Sequence, residues 1–265
     1  MAADVSIIVP AYNMERFLVE TLDSIEAAIK PTSLAVEVIV MDDGSTDGSL
    51  ALARNYAAHH ANIRVLTQPN AGPSVARNRA INEATGRYIF PLDADDLLGA
   101  GFLEHAVQIL DTTPEVKAVC GEDLFFGEKQ GPWRLPRFSR TLLARRNLIC
   151  VSALYRRTDW ERVGGYCEEL VGYEDWDFWL SIFKGGGRVV RLSCPAIHYR
   201  IRSGSKRIAD RKRKRETIDL LNRRHAEFFE QVLCGPLHYQ RTWSKPLNLL
   251  TKWGRKLGLV RKQHE

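Results

Sequence analysis

Residues 88–98 read "YIFPLDADDLL", an apolar run followed at once by Asp93, Asp95 and Asp96. A short apolar run closed by polar residues is typical of a buried strand. Carboxylates crowded at the end of such a strand repel one another, and a divalent cation bound by oxygen ligands and substrate phosphates removes that repulsion. A single Asp is more simply explained as a helix cap. Three of them within four residues predict a site for a metal ion and phosphates.

The sequence before this stretch alternates between strand-like and helix-like patterns. The strand-like runs are "VSIIVP" (5–10), "VEVIVMDD" (36–43) and "IRVLTQ" (63–68), and the helical patterns lie at 15–29, 49–60 and 74–84. Repeated strand–helix–strand units predict an α/β fold with a mixed, mostly parallel sheet flanked by helices. Because ligands bind beyond the carboxyl ends of parallel strands, Asp42 and Asp43 should lie on the same edge as the aspartates at 93–96.

Charge is divided unevenly along the chain. Residues 200–265 contain 18 Lys and Arg against 6 Asp and Glu, whereas the remainder contains 20 against 26. The net charge of +6 therefore conceals an acidic body and a basic tail with helical patterning. We expect one domain at 1–204 and a basic helical C-terminal extension at 205–265. A basic tail favours a polyanionic partner, either nucleic acid or anionic lipid.

Composition also limits the class of protein. No apolar stretch approaches the roughly 20 residues that cross a bilayer. The beginning of the chain, "MAADVSIIVP", lacks the basic and cleavage regions of a signal peptide. The five cysteines are scattered and form no C-x-x-C pair, which favours reduced thiols over disulfides or a zinc site. These features predict a cytoplasmic protein.

Two phosphate-binding motifs are absent from the sequence. No G-x-G-x-x-G follows the first strand, and no G-x-x-x-x-G-K-[ST] occurs anywhere. This argues against dinucleotide-dependent redox enzymes and P-loop NTPases. Phosphates bound by this chain are therefore expected to be held by a metal ion and side chains.

Four segments resemble the successive motifs of the family 2 glycosyltransferases, which have the GT-A fold. They are "VSIIVPAYN", "VIVMDDGSTDGS", "NAGPSVARNRAINEATGRYIFPLDADD" and "GYEDWDFWLSIFKGG", in the family's order. The resemblance implies an inverting enzyme that transfers a sugar from a nucleotide diphosphate sugar, with UDP as the expected nucleotide, to a hydroxyl acceptor. The implied acceptor is a cell-envelope glycan or a lipid-linked saccharide, and the implied cofactor is Mn²⁺ or Mg²⁺.

The resemblance also implies roles for individual residues. The nucleotide-sugar pocket would be lined by Pro10, Ala11, Tyr12, Asp43, Arg77, Asp93 and Asp96. Within it, Tyr12 would face the base and Asp43 would accept a hydrogen bond from the base. Asp93 would lean toward the ribose or sugar, with Asp96 as a near neighbour of the donor. Asp95 matches the metal-binding carboxylate of the family's D-x-D element.

The pair Glu174 and Asp175 in "GYEDWDFW" matches the family's general-base position, and Asp175 is the predicted base. Displacement at a sugar carbon through an oxocarbenium-like state needs one group that takes the acceptor's proton. It also needs the charge of the departing diphosphate to be neutralised. One carboxylate on a separate element and one metal ion meet both needs. Ordinary acidity at a helix N-terminus is the alternative explanation of the pair.

The stretch "HYRIRSGSKR" (198–207) departs from the family pattern. Many relatives carry a His, facing the metal or the diphosphate, at the position of Arg202. Arg202 is therefore expected to bind the diphosphate directly through its planar fork of donors. His198 is better explained as a core histidine than as a ligand. For Trp179, packing in the core and stacking on an acceptor sugar are both open.

Two other function classes fit the sequence less well. A sugar-phosphate nucleotidylyltransferase needs a Gly-rich loop with Arg or Lys after the first strand, and "PAYNMERF" (10–17) is not such a loop. Nucleic-acid binding through the basic tail lacks a recognised module, and the body is acidic, so no nucleic-acid partner is expected.

The tail favours a membrane surface instead. The basic helical run at 211–233, which Pro236 should end, and "PLNLLTKWGRKLGLV" (246–260) are typical of interfacial helices. They predict peripheral contact of residues 205–265 with the anionic inner face of a membrane. A solvated helix docked on the domain is the alternative.

Overall fold

The computed structural model describes residues 3–170, 172–202 and 214–256. The strands are β1 (Val5–Ala11), β2 (Val36–Asp42), β3 (Ile63–Thr67), β4 (Tyr88–Pro91), β5 (Leu97–Leu98), β6 (Val116–Cys120), β7 (Leu124–Gly127), β8 (Gly131–Pro132), β9 (Leu154–Arg156), β10 (Arg188–Arg191) and β11 (Ile197–Ile201). The α-helices are α1 (Leu18–Ile29), α2 (Ser49–Ala57), α3 (Pro73–Asn82), α4 (Phe102–Thr112), α5 (Arg140–Leu143), α6 (Arg157–Val163), α7 (Glu174–Phe183), α8 (Lys214–Arg224), α9 (Ala226–Leu233) and α10 (Ser244–Lys256).

Seven strands form the main sheet, in the order β10-β6-β9-β4-β1-β2-β3. β3, β2, β1 and β4 are parallel neighbours, and β9 runs antiparallel between β4 and β6. The predicted α/β fold with a mixed, mostly parallel sheet is confirmed. Register places Ala11 beside Asp42 and Ile8 beside Pro91, so the chain leaves β1, β2 and β4 at one edge.

The core lies around the central strands of this sheet. Its fully buried side chains include Val5, Ile7, Ile8 and Val9 of β1, Val38, Ile39 and Val40 of β2, and Leu18, Leu22 and Ile25 of α1. Phe90 of β4 packs against Phe102 of α4, with ring centroids 5.5 Å apart. Each fully buried side chain of this size contributes about 1.5–3 kcal/mol relative to exposure. This packing fixes the strands whose ends carry the acidic residues.

A second sheet, which the sequence did not indicate, contains four strands in the order β5-β11-β7-β8. β11 pairs antiparallel with β5 and parallel with β7. The backbone packs tightly before β11, where a Cβ on Gly121 would lie 2.0 Å from the nitrogen of Ala196. Asp123 Oδ1 accepts the backbone N–H groups of Ala196 and Ile197, each at 3.1 Å. These contacts hold the start of β11 beside the segment that leads into β7, and β5, which pairs with β11 on its other side, directly follows the acidic stretch.

The described part of the tail contains a helix break that the sequence did not predict. α8 ends at Arg224 and α9 begins at Ala226, where one helix was expected over 211–233. The break coincides with two contacts to the buried Asp177 of α7: Arg224 Nε donates to its Oδ1 at 2.8 Å, and His225 Nε2 lies 2.8 Å from the same oxygen. The extension is therefore tied to α7. Residues 211–213 of the basic run lie outside the described residues.

The helices of the tail are short. α9 ends at Leu233, three residues before the predicted stop at Pro236, because Cys234 adopts a left-handed backbone with φ of 60°. Among the residues that the structure describes, no helix is both long enough and apolar enough to span a bilayer.

Candidate active site

A cleft of about 490 Å³ opens at the edge where β1, β2 and β4 end. It is lined by Pro10, Ala11, Tyr12, Met14, Asp43, Asn70, Gly72, Pro73, Ala76, Arg77, Asp93, Ala94, Asp95, Glu174, Tyr199 and Arg202. Its size is that of a small-molecule site. We call it the donor cleft, after the nucleotide-sugar donor that the family resemblance implies. Ten residues were predicted from the sequence to bind the nucleotide sugar, to bind the metal or to act as the base. Eight of them line this cleft, and the other two, Asp96 and Asp175, do not.

Asp43 organises one wall of the donor cleft. Its Oδ1 accepts hydrogen bonds from Gln68 Nε2 at 2.6 Å and from the backbone N–H of Ala71 at 2.9 Å, and its Oδ2 accepts the N–H of Gly72 at 2.8 Å. Gly72, with φ of 91°, turns the chain into α3. An ionised carboxylate has about four acceptor positions. Asp43 thus fixes the loop before α3, and one of its acceptor positions is left for a further hydrogen-bond donor.

Arg77 of α3 joins three elements at the cleft. Its Nη2 donates to Asp93 Oδ1 at 2.7 Å, after β4, and its Nη1 donates to Glu174 Oε1 at 3.2 Å, at the start of α7. Burial disfavours the charge of Arg77, but Asp93 and Glu174 raise its pKa above the ordinary value. A charged guanidinium, paired with two carboxylates, therefore lines the cleft and holds Asp93 and Glu174 in place.

Asp95 and Arg202 form a second ion pair in the donor cleft. Arg202 Nε donates to Asp95 Oδ2 at 2.8 Å. Burial and the neighbouring Asp93 raise the pKa of Asp95, while Arg202 opposes that increase. Arg202 is thus brought to the acidic stretch, and its expected contact with a diphosphate stays a prediction.

The carboxylates of the cleft fit a cation that is shared with a ligand. Among the described residues, no three Asp, Glu, His or Cys side chains are grouped closely enough to enclose a metal ion. Asp93 and Asp95 both line the cleft. Mg²⁺ commonly takes one or two carboxylates and obtains its other ligands from substrate phosphates and water. Asp93 and Asp95 suit that mode of binding, in which the ligand supplies the remaining oxygens, and not a metal site built from protein side chains alone.

Asp96 does not take the place expected for it. It is buried, and its Oδ1 accepts the backbone N–H of Arg200 at 2.8 Å. The chain turns between Asp93 and Asp96, with the N–H of Asp96 donating to the carbonyl of Asp93, and this turn aims the Asp96 side chain toward β11. Burial, with smaller contributions from Asp93 and Asp95, raises the pKa of Asp96 well above its ordinary value. Asp96 therefore supports β11 instead of lining the cleft.

Asp175 lies in the first turn of α7, next to Glu174. Its Oδ2 accepts a hydrogen bond from Asn147 Nδ2 at 2.6 Å, and its Oδ1 accepts the backbone N–H of Trp176 at 2.7 Å. Burial, and then the charge of Glu174, raise the pKa of Asp175 to about 7. A carboxyl whose pKa lies near neutral pH is well suited to accept a proton.

Several contacts could not be found from local sequence motifs. Asn147 precedes Asp175 by 28 residues and carries no motif of its own, and Tyr199 reaches the donor cleft from the second sheet. His198 does not line the cleft; it pairs through its backbone with β5 and β7. Trp179 is fully buried and packs edge-on against Tyr155 at 5.7 Å, so core packing is correct and stacking on a sugar is wrong.

Comparison with known sequences assigns most of the chain to a protein family. The glycosyl transferase family 2 profile matches residues 6–173. The uncharacterized glycosyltransferase YibD of Escherichia coli is 37% identical over 129 residues, which is 49% of this chain. The uncharacterized glycosyltransferase EpsJ of Bacillus subtilis is 32% identical over 216 residues, or 74% of this chain. The chain spans only 37% of the length of YibD and 60% of that of EpsJ.

Two solved structures share the fold. S. aureus TarS 1–349 in complex with UDP-GlcNAc superposes with a TM-score of 0.70 at 21% identity, over 95% of this chain and 73% of TarS 1–349. The mannosyltransferase PcManGT of Pyrobaculum calidifontis, in complex with GDP-Man and Mn²⁺, gives a TM-score of 0.63 at 23% identity, over 98% of this chain and 77% of its own. These structures show that the chain shares their fold, and the sequence profile over residues 6–173 shows that the chain belongs to glycosyl transferase family 2.

Proposed function

We propose that this chain is an inverting glycosyltransferase that moves a sugar from a nucleotide diphosphate sugar to an acceptor hydroxyl. The observation that carries the proposal is the donor cleft, where Arg77, Asp95 and Arg202 surround one volume and Asp175 lies on a separate helix beside it. TarS and PcManGT, which share the fold, were crystallised with UDP-GlcNAc and GDP-Man. UDP is the nucleotide we expect for this chain.

The nucleoside would occupy the part of the cleft formed by the end of β1. Tyr12 is 44% exposed and offers a ring face to the base. The remaining acceptor position of Asp43 suits a base N–H. Pro10 and Ala11 complete that wall, and Arg202 is placed to donate to the diphosphate.

Asp95, with Asp93 beside it, would hold a divalent cation, Mn²⁺ or Mg²⁺. The residues present suit a cation shared with the diphosphate, and PcManGT was crystallised with Mn²⁺. When bound, such an ion neutralises the charge that develops on the leaving diphosphate. Arg77 would hold Asp93 in place beside that cation, because its guanidinium pairs with Asp93 and with Glu174.

Asp175 would accept the proton of the acceptor hydroxyl. Asn147 and the N–H of Trp176 hold both of its oxygens, which fixes the direction of the carboxylate. A single base with a single displacement gives inversion at the anomeric carbon. Glu174, which pairs with Arg77, lines the donor cleft and positions α7 against it.

The pH dependence of the reaction is the first test of this assignment. Only ionised Asp175 accepts a proton, and its pKa is raised to about 7. We therefore expect kcat/KM to rise with pH around pH 7 and to level off above it. We call this rising part of the pH profile its limb. Because the charge of Glu174 contributes to the raised pKa of Asp175, Glu174→Gln should move this limb toward lower pH.

A matched control for that shift is Glu83→Gln, the same chemical change at an exposed residue after α3. Initial rates at subsaturating donor and acceptor, measured from pH 5 to pH 9, give the limb for each variant. A limb that stays in place in Glu174→Gln, or that moves as far in Glu83→Gln, contradicts the assignment of Asp175.

The reaction class is tested by incubating the purified chain with a panel of nucleotide sugars and Mn²⁺. Release of nucleoside diphosphate together with a new glycoside supports glycosyl transfer. Exchange of pyrophosphate into a nucleoside triphosphate in the presence of sugar phosphates would instead support a nucleotidylyltransferase. The latter result overturns the proposal.

We further propose that the extension places the enzyme on the anionic inner face of a membrane. Leu250 and Trp253 of α10 are each 69% exposed, and Leu249 is exposed beside them. Lys252, which pairs with Glu230, adds a basic group to the same helix. An exposed apolar face flanked by basic side chains is the pattern of a helix that lies in a membrane interface. A saccharide acceptor linked to a lipid would be reached from such a surface.

Leu250→Glu is expected to reduce binding to vesicles that contain anionic lipid by about tenfold. Burying one such side chain is worth about 1.5–3 kcal/mol, and 1.4 kcal/mol corresponds to about tenfold in affinity. Flotation of the full chain with phosphatidylcholine vesicles containing phosphatidylglycerol measures the bound fraction. Val19→Glu, an exposed apolar residue of α1, is the control. Equal loss in both variants, or none in either, contradicts the membrane proposal.

A further inference from the structure

A second cleft, of about 710 Å³, lies beside the predicted base and shares no lining residue with the donor cleft. One wall is the chain after α5, with Arg145 and Arg146, and the other is the tail segment 239–243, with Arg241. We call it the arginine cleft. Asn147, which donates to Asp175, also lines it, so the cleft adjoins the carboxylate that would take the acceptor's proton.

The arginine cleft is strongly cationic. Its lining, which lies wholly within the described residues, contains three Arg side chains and no Asp or Glu. Across the described residues, none of the three guanidinium groups forms an ion pair. Guanidinium groups match phosphate in geometry and bind it through paired hydrogen bonds. The charge of this cleft therefore favours an anionic ligand, and a phosphate group, whose several oxygens can accept from more than one guanidinium, fits it.

Aromatic side chains line the same volume. Tyr239 is 57% exposed and Trp243 is 59% exposed, and both face the cleft together with Tyr173. Rings of this kind combine a large apolar face with a polar edge. The C–H face of a sugar ring packs on such a surface while its hydroxyls meet the polar groups around it. The lining thus suits a saccharide that carries phosphate better than an inorganic anion alone.

The tail wall is built to hold its position. Asn222 and Leu237 exchange two hydrogen bonds, at 2.9 Å and 2.8 Å, and Ser244 Oγ accepts the N–H of His238 at 3.0 Å. The guanidinium of Arg241 lies 5.2 Å from the ring centroid of Trp176, on the first turn of α7. Contact with an aromatic ring limits the orientations of a guanidinium. Arg241 is therefore oriented beside the helix that carries Asp175.

We propose that the arginine cleft is the acceptor subsite and that it selects a saccharide acceptor bearing a phosphate ester. The inference rests on the proposed function, because it gives Asp175 the acceptor whose hydroxyl it would deprotonate. The phosphate lies among Arg145, Arg146 and Arg241, and the sugar packs against Tyr239 and Trp243. The basic tail thus has a role in acceptor choice that is separate from contact with a membrane.

The test uses α-D-glucose 1-phosphate and glucose as probes, with UDP and Mn²⁺ present at saturation to fill the donor cleft. Ligand-observed NMR on the full chain gives the dissociation constants. We expect the phosphorylated probe to bind at least about tenfold more tightly than glucose. Arg146→Gln and Arg241→Gln should each weaken its binding about tenfold, since a hydrogen bond to a charged group is lost. Arg54→Gln, at an exposed position of α2, is the charge-matched control and should change nothing.

The outcomes separate this inference from the proposed function. Binding of UDP, measured alone, reports on the donor cleft, and its absence would count against the glycosyltransferase and not against the arginine cleft. Probe binding that is weakened by Arg202→Gln but not by Arg146→Gln or Arg241→Gln overturns the acceptor subsite. Equal binding of glucose and glucose 1-phosphate also overturns it.

A further arm distinguishes the source of the phosphate. Glucosyl phosphate carrying an isoprenyl chain, presented in phosphatidylcholine vesicles, is compared with soluble glucose 1-phosphate. Tighter binding of the isoprenyl form that depends on Arg241 supports the subsite with a lipid-linked acceptor, and equal binding that depends on Arg241 supports it with a soluble or polymeric one. Binding of the isoprenyl form that is unchanged in Arg241→Gln overturns it.

Discussion

Asp175→Asn is expected to lower kcat by about 10³-fold and to leave the dissociation constant of the nucleotide-sugar donor unchanged within about twofold. The amide keeps the size of the carboxyl and can still accept the hydrogen bond from Asn147, but it cannot take a proton. Asp175 does not line the donor cleft, so donor contacts are left in place. Turnover with saturating substrates and donor titration by calorimetry measure the two quantities separately.

The free energy of unfolding of the same variant should fall less than that of the wild type as pH rises toward 7, although its single amide oxygen can accept only one of the two hydrogen bonds that Asp175 accepts. The pKa of Asp175 in the folded chain, about 7, lies above its ordinary value, so ionisation of Asp175 reduces stability as pH rises through the window between those two values. Asparagine removes that cost. Asp219→Asn, an exposed residue of α8, is the matched control and should retain normal turnover. Turnover by Asp175→Asn within tenfold of the wild type contradicts the role given to Asp175.

Asp95→Ala is expected to abolish the metal-dependent part of donor binding and to reduce kcat/KM by about 10²- to 10³-fold. A bound cation stabilises the charge on a departing phosphate in the transition state by several kcal/mol. Each 1.36 kcal/mol of transition-state free energy changes the rate about tenfold. Asp95 is the carboxylate of the cleft that pairs with Arg202, so its removal also frees that guanidinium. Thermal shift of the chain with a nucleotide sugar, with and without Mn²⁺, reports the metal-dependent part of binding.

Asp96→Asn supplies the control one residue away. The amide matches the buried carboxyl in size, and burial raises the pKa of Asp96 well above its ordinary value, so the neutral side chain of Asn suits this position. The amide oxygen can still accept the N–H of Arg200. We expect donor binding by this variant within about threefold of the wild type. A metal response that persists in Asp95→Ala, or that is lost equally in Asp96→Asn, contradicts the division of roles in the acidic stretch.

The alternating half of the fold was predictable because each element there has a strong local signal. The apolar runs of β1, β2 and β4 are buried, and the acidic residues that follow them reach one edge as the parallel sheet requires. The second sheet was not predictable, because β5 and β8 contain two residues each and show no period of their own. Its position depends on β11, which comes much later in the chain and lies between β5 and β7.

The types of residue in the candidate site were predictable from the sequence, but the direction in which each side chain points was not. Asp95 and Asp96 are adjacent in sequence, yet one lines the donor cleft and the other accepts the N–H of Arg200. That difference is set by a contact between residues 104 positions apart. Asn147 meets Asp175 through the tertiary fold in the same way. Local patterns cannot reveal such pairs.

The tail illustrates the same limit on a larger scale. Its basic and apolar pattern indicated one helix over 211–233, and the structure divides the described part at His225. Arg224 and His225 are both held by Asp177, whose pKa is lowered by these two partners even though burial opposes ionisation. A buried ion pair between distant elements overrides helix propensity at this point.

The central claim is that a cation and the diphosphate of a sugar nucleotide meet at Asp95, at the end of β4. The most direct measurement is a crystal structure of the full chain with Mn²⁺ and a UDP-sugar, with the metal located from its anomalous signal. We expect a manganese peak bonded to Asp95 and to diphosphate oxygens, with the base against Tyr12. A nucleotide bound elsewhere, or a nucleotide in the donor cleft with no manganese at Asp95, would contradict it.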